Sequence, residues 1–120
     1  MASTTTLAAS STHWTEQPRM RPIHLANLDK SRPVLVLTRE GVRGSMLRVT
    51  VAAITSRAKG LPTELAVGPR NGLALNSVVS LDNVITIRAA DLGRHIGFLL
   101  PDQEHALAAA VSHAFDLEQS

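Results

Sequence analysis

The sequence predicts a mainly β fold, a small barrel or strongly curved sheet with one C-terminal helix packed on it. Three observations carry that expectation. Short apolar runs recur along the chain between turn-forming residues, a strand pattern. Helical periodicity is confined to the C-terminal end. The 120 residues, 44% hydrophobic and 2% aromatic, suffice for one core built from Leu, Ala, Val and Ile, and not for two.

Residues 1–19 are rich in Ser, Thr and Ala and follow neither a strand nor a helix period. So little apolar surface does not offset the entropy of ordering, so a disordered extension is expected there, followed by one domain over 20–120. Met20 offers an alternative start. PIHLANL (22–28) alternates in part, and PVLVLTR (33–39) reads as a strand buried on both faces. Gly41 and Gly44 bracket a turn, then MLRVTVAAI (46–54) alternates again. Lys59, Gly60 and Pro62 mark a loop before the short strand TELAV (63–67), and GPRNG (68–72) is a turn. NSVVSL (76–81), VITIR (84–88) and HIGFLL (95–100) are further strands, with a single helical turn over 89–94. Leu107, Ala110, Val111, Ala114 and Leu117 recur at helical spacing, which predicts a helix over 103–117 with Asp102 as its N-cap.

The formal net charge of +2 conceals a polarised chain. Residues 19–70 hold ten basic groups against Asp29, Glu40 and Glu64, a net of +7. Residues 71–120 hold Arg88 and Arg94 against six acids, a net of −4, and Glu16 supplies the remaining −1. An anionic partner for the first half follows. Zero cysteine excludes disulfide scaffolds, thiol nucleophiles and cysteine-ligated metals. No apolar run reaches the roughly 18 residues of a membrane span, and no secretory signal leads the chain, so a cytoplasmic protein is expected. The histidines lack metal-site spacing: His105 and His113 share a helix eight residues apart, about 12 Å along its axis, and read as solvent-facing. No metal or other cofactor is expected.

Two segments carry a chemical reading. In Lys30-Ser31-Arg32-Pro33, Pro33 stiffens the entry to a strand and holds Arg32 in extended backbone, where a planar guanidinium grips phosphate well. The same arginine is equally placed to pair with Asp29 or Glu40. In Thr55-Ser56-Arg57-Ala58-Lys59 a strand ends in two hydroxyls and two cations, a phosphate-binding combination or an ordinary solvated turn.

Together with NSVVSLDNVITI (76–87) and LGRHIGFLLPDQEHALAAAVSHAFDL (92–117), the segments SRPVLVLT (31–38) and VTVAAITSRAKGLPTEL (49–65) resemble the MazF/PemK toxins of bacterial toxin–antitoxin pairs over about residues 21–117. The resemblance implies a small SH3-like barrel of the CcdB/PemK kind with a C-terminal helix, usually a homodimer. It implies a metal-independent endoribonuclease that cuts single-stranded RNA at short sequences, needs no cofactor, and is held inactive by a small acidic antitoxin like MazE. It places the catalytic pair on Arg32 and Thr55. Lys30, Arg57 and Lys59 are expected on backbone phosphates, with Ser56 positioning the strand. Two other readings stand beside it: a non-enzymatic gyrase-binding toxin of the same fold, like CcdB, and an inactive family member.

The chain departs from the family pattern in three places. Arg21-Pro22-Ile23-His24 replaces the usual Arg-Gly-Asp or Arg-Gly-Glu opening, and Asp82-Asn83 replaces Asp-Gln. Only Asp29, Lys30 and Ser31 stand between Leu28 and Arg32, where the family has a long loop carrying a glutamate. His24 is then either a substitute acid–base group or a strand-edge histidine. Trp14 falls in the extension, and Phe98 and Phe115 are expected in the core, so little aromatic surface is left for stacking bases.

Overall fold

The computed structural model describes residues 20–38 and 47–117; the extension expected over 1–19 and the turn at Gly41 and Gly44 lie outside the described residues. Six antiparallel strands form one curled sheet: β1 (Arg21–Asn27), β2 (Ser31–Val36), β3 (Arg48–Thr55), β4 (Glu64–Val67), β5 (Ser77–Arg88) and β6 (Leu92–Leu99). Their spatial order is β4-β5-β3-β2-β1-β6, and a C-terminal helix α1 (Glu104–Ala114) packs on the sheet. The expected mainly β architecture is present, with six strands.

The central strand β2 explains the layering. Val34, Leu35 and Val36 are all at most 1% exposed. Alternation sends Leu35 into the larger core with Ile23, Ile54, Val79, Leu81, Leu99 and the helix residue Leu107. Val34 and Val36 go to the opposite face with Ala26, Val49, Val51 and Ile87. A run without polar interruption is what a strand buried on both sides requires.

Three element boundaries differ from the expectation, each for a physical reason. Residues 76–81 and 84–88 form one strand, β5, because β3 pairs along its whole length and skips the intervening residues: the register passes from Ala52↔Val84 to Ala53↔Ser80. β6 begins at Leu92, since Ala89–Asp91 completes the expected turn in three residues. The helix stops at Ala114 because Asp116 takes a left-handed backbone (φ 57). The Leu117 N–H then bonds the Ser112 carbonyl (2.7 Å) and the Asp116 N–H bonds His113 (3.4 Å), the pairing of a Schellman stop. Asp102 is not the N-cap: its carboxylate receives both hydrogen bonds of Arg70 Nη2 at 3.0 Å, and Pro101–Gln103 makes a 3-10 turn instead. Phe98 and Phe115 are not core residues either, at 36% and 59% exposure; β6 turns Phe98 outward, and Phe115 sits past the last buried helix position.

The curled sheet is closed by a polar knot around Asn71, which is 1% exposed. Its Oδ1 accepts the Gly68 N–H (3.1 Å), and its Nδ2 donates to the Phe98 carbonyl (2.9 Å) and Gln103 Oε1 (2.7 Å). Gln103 Oε1 also accepts the Leu100 N–H (2.9 Å). The 3-10 turn Pro69–Asn71 lies so close to β6 that side chains are excluded on both sides. A Cβ at Gly72 (φ 90) would strike the Ile96 carbonyl, and one at Gly97 would strike that of Asn71. Further along, Arg21 Nε donates to Glu104 (2.9 Å) and its Nη1 to the Leu37 carbonyl (2.9 Å), tying the helix start to β1 and β2.

Asn71→Ala leaves the buried Gly68 N–H and the Phe98 carbonyl without partners and should destabilise the fold by about 2–4 kcal/mol. Arg70→Ala, one residue earlier, removes an exposed ion pair and should change stability by less than about 1 kcal/mol. Urea unfolding of the two variants measures the difference.

Candidate functional site

Antiparallel pairing places the start of β2 against the end of β3. The paired residues are Val34↔Ala53, Leu35↔Ala52 and Val36↔Val51. Two steps further in the same register, Arg32 lies opposite Thr55. The ladder stops before them because Pro33 has no N–H to donate. Both side chains therefore stand at a frayed sheet end, Arg32 exposed and Thr55 half-buried.

They open onto a cavity of about 550 Å3. One wall is Lys30, Ser31 and Arg32, the next is Thr55, Ser56 and Arg57, and the third is the segment Leu73–Leu75 with Ser77. A contiguous cavity of about 430 Å3 shares Arg32, Ile54, Thr55 and Arg57, and adds Lys59, Glu64, Ser80, Asp82 and Asn83. All six residues singled out from the sequence thus line one continuous groove. Lys30 and Ser56 sit at one end, Lys59 at the other, and Arg32, Thr55 and Arg57 between.

The hydrogen bonds leave the central pair competent to bind an anion. Arg32 Nε donates to Asp29 Oδ1 at 3.3 Å, and the same oxygen accepts the Lys30 N–H at 2.9 Å. This is one of the two pairings open to Arg32 from the sequence. It occurs because β1 and β2 are joined by a hairpin of only three residues, Leu28–Lys30. The contact uses Nε and leaves both terminal nitrogens of the guanidinium for a second, forked contact. Neither partner is buried: their side chains are 45% and 75% exposed. The hydrogen bond and the charge of Arg32, with the Lys30 N–H adding to them, hold the Asp29 carboxyl below the usual aspartate range. Thr55 Oγ1 accepts the Arg57 N–H (3.1 Å), which fixes the hydroxyl and leaves its proton to donate. Glu64 accepts the N–H groups of Lys59 (3.0 and 3.1 Å) and Leu61 (3.1 Å), pinning the cationic loop.

His24 is not part of this groove. Its Nδ1 lies 3.0 Å from the Gly93 carbonyl, and its ring stands edge-on to His95, which in turn meets Phe98. The β1–β6 pairing holds it there, half-buried on a strand that lies between β2 and β6 and is not an edge of the sheet. His105 and His113 are exposed on α1. Among the described residues no group of three or more His, Asp or Glu is placed to hold a metal ion, and no helix is long and apolar enough to cross a membrane. The third wall, Leu73–Leu75, had no signal in the sequence beyond following a turn. Asp82 and Asn83 did have one: an acid and an amide between two apolar strand runs.

Residues 19–115 match the model of the PemK-like, MazF-like toxins of type II toxin–antitoxin systems. The chain belongs to this family. It is 60% identical over 99 residues to endoribonuclease MazF3 of Mycobacterium tuberculosis, covering 82% of this chain and 96% of that one. Among solved structures, Mycobacterium tuberculosis toxin MazF-mt6 superposes with a TM-score of 0.80 at 58% identity, covering 82% of this chain and all of the other. A mycobacterial endoribonuclease solved with its cognate antitoxin shares the fold at a TM-score of 0.75 and 22% identity, covering 87% of this chain and all of the other. The groove is thus built on a fold common to distant relatives.

The lowered Asp29 pKa contributes to stability above the ordinary aspartate pKa, and that contribution fades as pH falls through the lowered value. In a carboxyl NMR titration, Arg32→Ala should move the Asp29 midpoint up toward the ordinary range, with the Lys30 N–H still holding part of the shift. An unchanged midpoint would show that Arg32 is not the cause.

Proposed function

We propose that this MazF-family endoribonuclease cuts single-stranded RNA at short sequences, without a metal ion, by attack of a 2′-hydroxyl on the adjacent phosphorus. The observation that carries the reading is the opposition of Arg32 and Thr55 across the β2–β3 end, in a groove edged by Lys30, Arg57 and Lys59.

As the 2′-oxygen bonds to phosphorus, its proton passes to water, negative charge grows on the non-bridging oxygens, and the bond to the 5′-oxygen breaks, that oxygen taking a proton from water to leave as a 5′-hydroxyl. The terminal nitrogens of Arg32 would meet that charge where it develops, held in place by Asp29 rather than by solvent. Thr55, its oxygen anchored by the Arg57 N–H, would donate its proton to a non-bridging oxygen or orient the attacking hydroxyl. The guanidinium then does the work a Lewis acid does in metal-dependent nucleases. Lys30, Arg57 and Lys59 would hold flanking phosphates, and Ser56 the backbone between them. DNA lacks the attacking hydroxyl and would remain intact.

The family's toxin–antitoxin assignment supports a small acidic antitoxin competing for the same cationic groove, in the cytoplasm where RNA and antitoxin meet. A homodimer is proposed on the resemblance to the family.

Purified protein in excess EDTA should cleave single-stranded RNA to 2′,3′-cyclic phosphate and 5′-hydroxyl ends, which mass spectrometry of the fragments identifies. Arg32→Ala and Thr55→Ala should each lower the rate by at least roughly 100-fold while the thermal melt stays unchanged. Cleavage at the wild-type rate by Arg32→Ala would sink the assignment. Three phosphate contacts correspond to a log–log salt slope of binding of roughly −2. A flat response, read by fluorescence anisotropy, would remove the cationic residues from the interface.

A further inference from the structure

Two histidines meet across the β1–β6 ladder, outside the cationic groove. His24 is half-buried and His95 exposed, and neither lines a cavity of the groove. We propose that His24 and His95 form a two-histidine chelate for a first-row divalent cation of the Zn2+ type, which clips the edge strand β6 to β1. The site is independent of the RNA reading, and the ion takes no part in cleavage.

The backbone departs from a regular ladder to bring the two side chains together. Pairing passes from Ile23↔Gly97 to His24↔His95, skipping Ile96, and then from His24↔His95 to Ala26↔Leu92, with a second irregularity. In an unbroken register Ile96 would stand opposite His24, and His95 would fall on the other face beside Leu25. The bulge instead sends Ile96 against the larger core and leaves His95 on the side of His24. A single histidine pair thus sits between two irregularities, and bulges serve to re-aim side chains in this way.

The ring geometry fits a shared ion. The ring centres lie 5.2 Å apart, with planes at 61°. Two metal–nitrogen bonds of about 2.1 Å at a tetrahedral angle separate imidazole centres by roughly 5 Å. The rings therefore need only to swivel, without any movement of the strands. The Gly93 carbonyl, 3.0 Å from His24 Nδ1, can only accept, so Nδ1 carries the proton and the neutral ring keeps a lone pair on Nε2. A ring N–H given to a backbone carbonyl is the arrangement that fixes the tautomer of metal-ligating histidines. Among the described residues no hydrogen bond occupies a ring nitrogen of His95, and Phe98 meets that ring edge-on at 4.6 Å, which limits its swing.

The donor set chooses the ion. Imidazole nitrogen suits Zn2+, Ni2+ and Cu2+, and with no third side chain placed to ligate, water fills the remaining positions. Mg2+, which demands oxygen ligands, finds none in this pair.

The test uses the untagged full chain. With Cu2+ added well below one equivalent, the imidazole NMR signals of His24 and His95 should broaden together, before those of His105 and His113. In His95→Ala the His24 signal should stay sharp at the same Cu2+ level. Calorimetric titration with Zn2+ should show its tightest site weakened at least roughly 10-fold in His24→Gln and in His95→Ala. Mg2+ should give no such site, and circular dichroism checks that both variants fold. Broadening that follows exposure alone, affecting His95, His105 and His113 alike, overturns the chelate. So does Zn2+ affinity unchanged in folded His95→Ala, which would leave the two rings as an aromatic contact only.

Discussion

The closure of the sheet through Asn71 is the constraint on which the remaining architecture depends. A curled antiparallel sheet has two ends, and here β4 and β6 leave them open in the strand order. The turn after β4 spans the gap, and one buried amide satisfies backbone groups on both sides: the Gly68 N–H and the Phe98 carbonyl. Buried polar groups are expensive unless fully bonded, so the knot admits few alternatives. Gly72 and Gly97 allow the backbones to meet, and Gln103 carries the network into the approach to α1. The same turn fixes where Leu73–Leu75 run. The groove therefore has its third wall because of a hydrogen-bonded amide, although that amide touches neither Arg32 nor Thr55.

What was legible in the sequence follows from the range of each interaction. Strand β2 could be read from its own residues, because burial on both faces leaves an unbroken apolar run. The helix start misled, since Asp102 has the right type for a cap while its partner, Arg70, lies 32 residues away. From sequence β5 reads as two strands, because Asp82-Asn83 is locally indistinguishable from a turn; only pairing with β3 reveals a bulge in a continuous strand. An aromatic residue such as Phe98 in a strand reads as core, and nothing local records that β6 is an outer strand. Arg32 and Thr55 stand out by residue type and by motif resemblance, and only the register shows that the two segments face each other. The Asn71 knot, with partners from Gly68 to Gln103, had no local signature beyond an asparagine in a glycine-flanked turn.

The charge split along the chain also acquires a different meaning. Part of it is settled internally, since Arg21 of the basic half pairs with Glu104, and Arg70 with Asp102, both near the helix start. Those two arginines dock the acidic C-terminal segment onto the sheet. The cations left at the groove are fewer than the net charge of the first half implies, and they are concentrated: Lys30, Arg32, Arg57 and Lys59 lie within two contiguous cavities. Position, more than net charge, separates the cations gathered at the groove from those that hold the protein together.

The location of the knot's partners has a consequence in time. Arg32 and Thr55 leave the ribosome well before Phe98 and Gln103, which Asn71 needs to set the groove's third wall. During synthesis the proposed catalytic pair is therefore present while the surface that would hold a strand against it is incomplete. An emerging chain acquires its full groove only once Gln103 has followed the two earlier strands out. For a toxin of this family, the order of synthesis puts the groove's third wall after the two strand ends that face it.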